Sequence, residues 1–361
     1  MKRITVLGAG NGAQTLAADL ASKGHQVTLY EHPDFEAKIK DLNSKGNRIT
    51  LTNTINVEGR LHLATTDIAD AVRDAEIIFF VAPTFAQTPI FTLALPYFES
   101  GQTVVIIPGN FGSLALRKML KDANGPDLLL AEADTLPYAC RLIENGKVNV
   151  WGIKTFVRIG TLPGGDFSKL KTVLDGVFPV EIHELPTSLA AGLGNANMVV
   201  HCATMVMNAG RIESEKGNFR FYTDGMTESV CRVQEEVDRE RLAVAEAYGI
   251  KFVSTFEGLK TMYGLEGNSL HEVLAGSPVY GSHGPDAPKE MGHRYLSEDV
   301  PYLLVTVSAL GKVAGVPTPV IDSVILLAGT ANGTDYTTAG WTVENLGIQG
   351  MNKQSIIEFI Q

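Results

Sequence analysis

At 361 residues the chain is long for one hydrophobic core, which predicts two domains, each large enough to bury a substantial interior. Hydrophobic residues at 45% and charged residues at 19% exclude a disordered chain, and a net charge of −10 argues against nonspecific binding to nucleic acid or to anionic membranes. Any anionic substrate has to be met by local cations. Cys140, Cys202 and Cys231 are far apart, odd in number and without metal-ligand spacing, so a reducing, cytoplasmic setting is expected and a metal is not. The chain opens on a strand rather than a basic, apolar leader, and no apolar run near the ~18 residues of a membrane span is read, so no membrane partner is expected.

The first element is a strand, residues 4–7, running directly into Gly8-Ala-Gly10-Asn11-Gly12-Ala13 and a helical stretch over residues 14–22. Gly8 permits a tight turn, Gly10 lets backbone approach a pyrophosphate, and small Ala13 lets the helix pack on its strand. The exposed N–H groups at that helix start then face the phosphates, and Asn11 and Gly12 of the glycine turn are counted with the cofactor-binding residues. A second strand, residues 26–30, ends at Glu31, 23 positions after Gly8, where a ribose-binding carboxylate belongs. Glu31 favours NAD over NADP, because a carboxylate accepts ribose hydroxyls and repels a 2′-phosphate. No Arg or Lys lies between Glu31 and Glu36 to receive that phosphate, and His32 is the one residue that blurs the preference.

Strand-like runs at 4–7, 27–30, 77–81, 103–107 and 128–131 alternate with helical ones, which predicts a parallel, doubly wound Rossmann-type sheet. Between residues 47 and 63 an alternating run predicts a hairpin inserted into it. The loops beginning at Ala82-Pro83 and at Pro108-Gly109-Asn110 fall where open sheets bind ligands, bordering the nicotinamide. Residues 138–185 return to strand character, with a turn at Asn145-Gly146. From Ser188 onward the spacing is helical: residues 189–212, 227–248, 300–314 and 320–328. The expected architecture is an α/β dinucleotide-binding domain over residues 1–185 and an all-α substrate domain over 186–361.

The predicted helix over 189–212 carries the most suggestive chemistry. At ~100° per residue, Asn197, His201 and Asn208 point within about 40° of one another on a helix otherwise apolar, and a buried polar stripe needs partners. A core histidine with two structural amides is the plain alternative. Cys202 points about 100° away from His201, which argues against a Cys-His nucleophile pair. Further on, Gly292-His-Arg294-Tyr-Leu-Ser-Glu-Asp299-Val-Pro301 leads into another helix, with Ser297 read as its N-cap and Asp299 beside its positive end. Arg294 is a candidate clamp for a carboxylate, with a surface pair to Glu298 as its alternative.

The order of Gly-x-Gly-Asn-x-Ala at residues 8–13, Thr135-Leu-Pro-Tyr-x-x-Arg141, Gly194-Asn-x-Asn-x-x-x-His201 and Arg294-Tyr-x-x-Glu-Asp299-x-Pro301 resembles the octopine/nopaline (opine) dehydrogenases over nearly the whole chain. The last block is the specific part. The resemblance implies an NAD(P)H-dependent enzyme that condenses an L-amino acid reductively with an α-keto acid such as pyruvate, giving a secondary-amine dicarboxylate. It also implies His201 as catalytic acid/base, Asp299 as its partner and Arg294 as the carboxylate ligand. Imidazole suits the task, since it gives and takes protons near neutral pH. Asn110 and the hydroxyl of Thr135 are candidates to help hold a carboxylate.

A related two-domain reductase of a hydroxy acid or keto acid would present a catalytic lysine from the first helix of its second domain, and residues 187–211 contain none. A non-catalytic NAD-sensing protein is the other alternative, and it would not require His201, Asp299 and Arg294 to converge. Residues 252–288, with Phe256, Met262, Tyr263 and Tyr280 and few charges, are expected to shape the amino-acid pocket and tilt it toward an apolar side chain. A homodimer through the helical domain is the expected assembly.

Overall fold

A computed structural model describes residues 1–277, 281 and 286–361, the side chains of 262 and 263 excepted. Of the pocket residues expected above, the side chains of Met262 and Tyr263 and the whole of Tyr280 therefore lie outside what is described. The chain divides into two compact units, residues 1–192 with 358–361, and residues 193–357.

The first unit is built on an eight-stranded sheet. Its strands are β1 (Arg3–Leu7), β2 (Gln26–Tyr30), β5 (Leu63–Thr65), β6 (Ile77–Phe80), β7 (Thr103–Ile106), β8 (Leu129–Ala133), β11 (Phe156–Leu162) and β12 (Glu181–Glu184), in the order β12-β11-β8-β7-β6-β1-β2-β5. All neighbours are parallel except β8 and β11. β6 and β7 are buried along their whole length, which is why they read as unbroken apolar runs rather than alternating ones.

The hairpin expected near residue 50 is present as β3 (Arg48–Asn53) and β4 (Val57–Arg60), but it is not inserted into the main sheet. With β9 (Tyr138–Glu144) and β10 (Lys147–Ile153) it makes a second sheet of order β4-β3-β10-β9. The Asn11–Ser22 helix packs on it: a Cβ at Gly59 would lie 2.3 Å from the Ala18 carbonyl oxygen, and Tyr138 donates to Asp19 at 2.6 Å. A helix, Phe167–Leu174, also interrupts the stretch read as strand-like.

The unit boundary falls seven residues beyond the expected 185/186 division. The Ser188–Leu193 helix begins on the first unit because Ser113 donates to Ser188 at 2.8 Å, and Gly192 lies against the Phe111 ring where a Cβ would meet Cε1 at 2.5 Å. The last residues return to the same unit, where Gly165 N–H donates to the Gln361 carbonyl at 3.4 Å.

In the second unit the Glu228–Ala247 helix packs with the Val305–Ala314 and Pro319–Asn332 helices. Buried Glu240 accepts from the Val320 and Ile321 N–H groups at 2.9 Å each, capping the last of them. The single helix expected over 189–212 is instead a broken series: Ser188–Leu193, Asn197–Val200, Cys202–Met207 and Ala209–Glu215. Gly194 carries the entropy cost of glycine in a helix, and the Asn195 side chain accepts from Asn197 N–H at 3.0 Å in competition with the ladder. Contrary to expectation, Ser188–Met207 is long and apolar enough to cross a bilayer by length and composition, with mean hydropathy 1.2. Its window is 78% buried inside the protein, as in the core of a folded domain.

Candidate functional site

The carboxyl edge of the main sheet carries the glycine turn. Gly8 has φ +112°, and a Cβ there would stand 2.5 Å from the Val81 carbonyl oxygen, so only glycine fits. At Gly10, the N-cap of the Asn11–Ser22 helix, a Cβ would meet nothing within 4 Å, and no side chain caps the helix start. No acidic residue stands in the first turn either, so the N–H groups of this start are left for an anion. This fits a dinucleotide pyrophosphate. Gly12 and Ala13 are buried, and Gly12 faces Leu136, while the Asn11 side chain is committed elsewhere: its Oδ1 accepts from Leu142 N–H at 2.9 Å. Asn11 can therefore serve a phosphate through its backbone.

Glu31, 7% exposed, follows β2 directly. Its Oε1 accepts from His32 N–H at 3.0 Å and its Oε2 from Lys38 Nζ at 3.0 Å. Sequence reasoning stopped at Glu36 in looking for a cation and so missed Lys38, which folds back from the Glu36–Ser44 helix. Ala82 and Pro83 are half-buried in the loop after β6. After β7, Asn110 and Phe111 both have positive φ, at 50° and 68°, and Asn110 donates to Thr84 Oγ1 at 2.8 Å. That strained loop is held by Glu132, fully buried, which accepts from Phe111 N–H at 3.0 Å and Ser113 N–H at 2.6 Å. Burial raises the Glu132 pKa to about 7 against the pull of those donors.

In the helical unit His201 is 6% exposed and Asp299 5%. Asp299 Oδ2 lies 2.7 Å from His201 Nδ1, and the Tyr222 hydroxyl lies 2.9 Å from Nε2. Tyr295 stacks on the imidazole with ring centroids 3.7 Å apart and planes at 16°. His201 itself sits at a small interruption of the helix. The Val200 carbonyl accepts from both the Thr204 hydroxyl at 2.7 Å and the Gln234 amide at 3.0 Å, which loosens the ladder there. Burial pushes the Asp299 carboxyl up, and its bond to His201 opposes that push. Cys202 donates weakly to the Tyr295 carbonyl at 3.5 Å, and burial together with the Asp299 charge drives its thiol pKa well up, so no thiolate is available.

Asp299 reaches His201 because the chain does not start its helix at Ser297. A short helix, Arg294–Ser297, opens at His293, whose Nδ1 accepts from Tyr295 N–H at 3.3 Å, and Ser297 ends it. A π-helical turn, Val300–Leu304, follows with Pro301 in its first turn, and Asp299 stands at its start with its side chain turned to the imidazole. Arg294 is 57% exposed at its side chain and makes a two-pronged pair with Glu298, Nε at 2.9 Å and Nη2 at 2.7 Å from Oε2. The expected polar stripe does not persist. Asn197 is exposed, and Asn208 spends both amide hydrogens on the Thr204 and Gly225 carbonyls at 2.9 and 2.8 Å, tying down a helix break. Thr135, after β8, accepts from Lys154 Nζ at 2.5 Å. Tyr222, Tyr295 and Lys154 are site residues that the sequence reading missed. Aromatic spacing gives no signal for the first two, and Lys154 lies in the two-residue connection between β10 and β11.

A glycine-lined phosphate turn on a doubly wound sheet, and a buried imidazole–carboxylate pair in a separate helical unit, define the class as a two-domain NAD(P)-dependent oxidoreductase. Residues 3–122 match the model of the NAD-dependent glycerol-3-phosphate dehydrogenase N-terminus, and residues 184–332 that of the NAD/NADP octopine/nopaline dehydrogenase α-helical domain. The chain is 33% identical to the opine dehydrogenase of Arthrobacter sp. (strain 1C) over 98% of both chains. Among solved structures it is similar to octopine dehydrogenase with NADH and L-arginine (TM-score 0.78, 23% identity, 99% and 98% of the two chains) and with NADH and pyruvate (TM-score 0.75, 24%, 100% and 98%). It is also similar to NADP+-bound yersinopine dehydrogenase (TM-score 0.73, 16%, 99% and 98%). The chain belongs to the opine dehydrogenase family, NAD(P)H-dependent enzymes that join an amino acid reductively to a keto acid.

Proposed function

We propose that this enzyme condenses an L-amino acid with pyruvate using NADH, with His201 as acid/base, Asp299 as its orienting partner and Arg294 as a carboxylate ligand. The observation that carries the assignment is the line Asp299 Oδ2, His201 Nδ1 and Nε2, Tyr222 hydroxyl, with contacts of 2.7 and 2.9 Å. A bound nicotinamide supplies the hydride. The protein's own task is to move protons: the carbonyl oxygen of the keto acid leaves as water when the imine forms, and protonated His201 gives a proton from Nε2 to that oxygen. Asp299 keeps the proton on Nδ1 and stabilises the imidazolium. Stacked Tyr295 fixes the ring plane, and Tyr222 stands where protons enter or leave Nε2. Arg294, released from Glu298 on its exposed side, offers a planar fork to a carboxylate.

The choice of NADH rests on Glu31, whose carboxylate disfavours a 2′-phosphate. Lys38 at 3.0 Å works against it, and the similar yersinopine dehydrogenase is solved with NADP+. Wild-type protein should show a lower KM for NADH than for NADPH, and Glu31→Ser with His32→Arg should narrow or reverse that order. Lower KM for NADPH in the wild type would refute the preference. Pyruvate as keto acid is supported by the octopine dehydrogenase solved with it. Three free cysteines support a cytoplasmic setting, and exposed Leu326 and Leu327 on the Pro319–Asn332 helix support a homodimer through the helical unit. The activity is tested by following NADH absorbance with pyruvate and a panel of L-amino acids, where oxidation that requires both substrates supports the reading and none with any pair refutes it.

A further inference from the structure

We infer that His293 is a positioning residue for the reaction: its neutral imidazole caps the Arg294–Ser297 helix and holds the Tyr295 ring flat against His201. The inference rests on the reading of His201 as the acid/base and adds a requirement to it, a hydrogen-bond acceptor at residue 293. Arg294, Tyr295 and Asp299 all follow His293 closely in the chain, so whatever fixes the start of this short helix sets where the three of them stand.

A helix of 4 residues is too short to be held by its own ladder. Its start is fixed by His293 through both backbone and side chain. The His293 carbonyl accepts from Leu296 N–H at 2.9 Å and Ser297 N–H at 3.1 Å, and ring Nδ1 accepts from Tyr295 N–H at 3.3 Å. Ser, Thr, Asp or Asn is the ordinary residue for such a cap. An imidazole does what those cannot, because its ring also meets the Tyr295 ring edge to face, with centroids 4.4 Å apart and planes at 81°. One side chain therefore holds both the backbone and the ring of Tyr295. Phe221 leans on the same ring at 5.1 Å, and Cys202 donates to the Tyr295 carbonyl at 3.5 Å. Tyr295 thus links half-buried His293 to His201, which it faces at 3.7 Å.

A tyrosine face attracts a cation, so Tyr295 held in place favours the imidazolium that His201 carries before it gives up its proton. The cap depends in turn on the protonation of His293. Nδ1 accepts only while its lone pair is free and the ring's one proton is on Nε2, whereas a protonated ring is a donor at both nitrogens and would turn an N–H toward the Tyr295 N–H. Burial, then the charges of Arg294 and His201, push the His293 imidazole down from its ordinary value, against a weaker pull from Glu290. Among the described residues these are the charged groups that act on it. The fold thus keeps His293 in the form that caps, and the cap is lost in acid as the ring takes up a proton.

The test compares wild type, His293→Ala and His293→Asn, whose amide oxygen can accept from Tyr295 N–H without titrating. Turnover with NADH, pyruvate and an L-amino acid panel, the KM for NADH and melting temperatures are measured alongside the NMR resonance of the His201 Cε1–H in NADH-loaded protein with isotope-labelled histidine, identified by its loss in His201→Ala. His293→Ala is expected to lower turnover roughly tenfold while the KM for NADH stays within about twofold, and to move the His201 resonance downfield as the Tyr295 ring leaves its face. His293→Asn is expected to restore both in part. Its turnover relative to wild type should also rise as the pH falls below 6.5, the ordinary imidazole value, because proton uptake then removes the wild-type cap alone. Turnover within about twofold of wild type in His293→Ala, an unmoved His201 resonance, or a His293→Asn no better than the alanine would overturn the inference. If His293→Ala does not fold, the ratio of His293→Asn to wild type decides, and a ratio flat with pH overturns it. A His201 resonance that follows the His293 variants in a protein whose His201→Ala keeps full turnover would leave the positioning standing and sink the acid/base reading instead.

Discussion

His201 has both ring nitrogens occupied, Nδ1 by Asp299 and Nε2 by Tyr222, and that arrangement decides how it can act. The Asp299 contact fixes the tautomer, leaving Nε2 as the working atom, and Tyr222 must yield to a substrate or pass the proton on. His201→Ala should reduce turnover by roughly 10² to 10⁴ with NADH affinity unchanged, the range for losing a positioned acid/base. Asp299→Asn should cost less, because the imidazole remains but its cation loses a charged partner. Steady-state turnover and NADH fluorescence titration check both; unchanged turnover in His201→Ala would make it a core histidine. Arg294 was legible in the sequence in both of its roles, as clamp and as partner of Glu298, and the pair with Glu298 is what the unliganded chain displays. A charge-assisted bond is worth roughly 1.5 to 3 kcal/mol, so Arg294→Ala should raise the KM of a substrate or lower turnover at least tenfold. Arg294→Lys should recover only part, since an ammonium lacks the planar fork. Kinetics unchanged by the alanine would leave Arg294 as a surface ion pair.

Among the elements, the Pro108–Ser113 loop depends on one buried carboxylate. Glu132 ties the N–H groups of Phe111 and Ser113, and Gly109 leaves it room, since a Cβ there would stand 2.0 Å from Glu132 Oε2. Its pKa is about 7 when folded against 4.5 ordinarily, so the folded chain keeps a proton that the unfolded chain releases. The stabilisation is complete below pH 4.5 and is lost as pH rises through about 7, a change of about 3 kcal/mol for that group. Urea unfolding at pH 5, 6 and 7 should show this fall in wild type and a flatter profile in Glu132→Gln; equal slopes would refute the assignment. Sequence patterning could not find Glu132, because a lone glutamate at a strand end carries no periodic signal. The same limit explains the broken helix near His201. Apolar spacing runs unbroken across Gly194-Asn195, and only the Asn195 side chain's bond to the Asn197 N–H reveals the break. Conversely, the Phe167–Leu174 helix buries Phe167, Leu170 and Leu174, a helical period that the neighbouring Lys-Leu-Lys alternation disguised.

At the level of the whole chain, the glycine turn and the strand alternation were readable because backbone geometry demands particular residue types: Gly8 at φ +112° and continuous apolar strands in a sheet covered on both faces. His201 and Asp299, 98 positions apart, were joined by family resemblance, since no spacing rule connects them. Tyr222, Lys38 and Lys154 reach their positions only through the tertiary fold, which is why no motif announced them. The central claim is that this fold directs the hydride to a carbon bonded to an amine nitrogen rather than to a ketone. The most direct test is mass spectrometry of the products formed from NADH, pyruvate and an L-amino acid panel by wild type and His201→Ala. The account predicts a species equal to amino acid plus pyruvate, less one water and with two hydrogens added, formed by wild type and lost in His201→Ala. Lactate as the sole reduced product would contradict it.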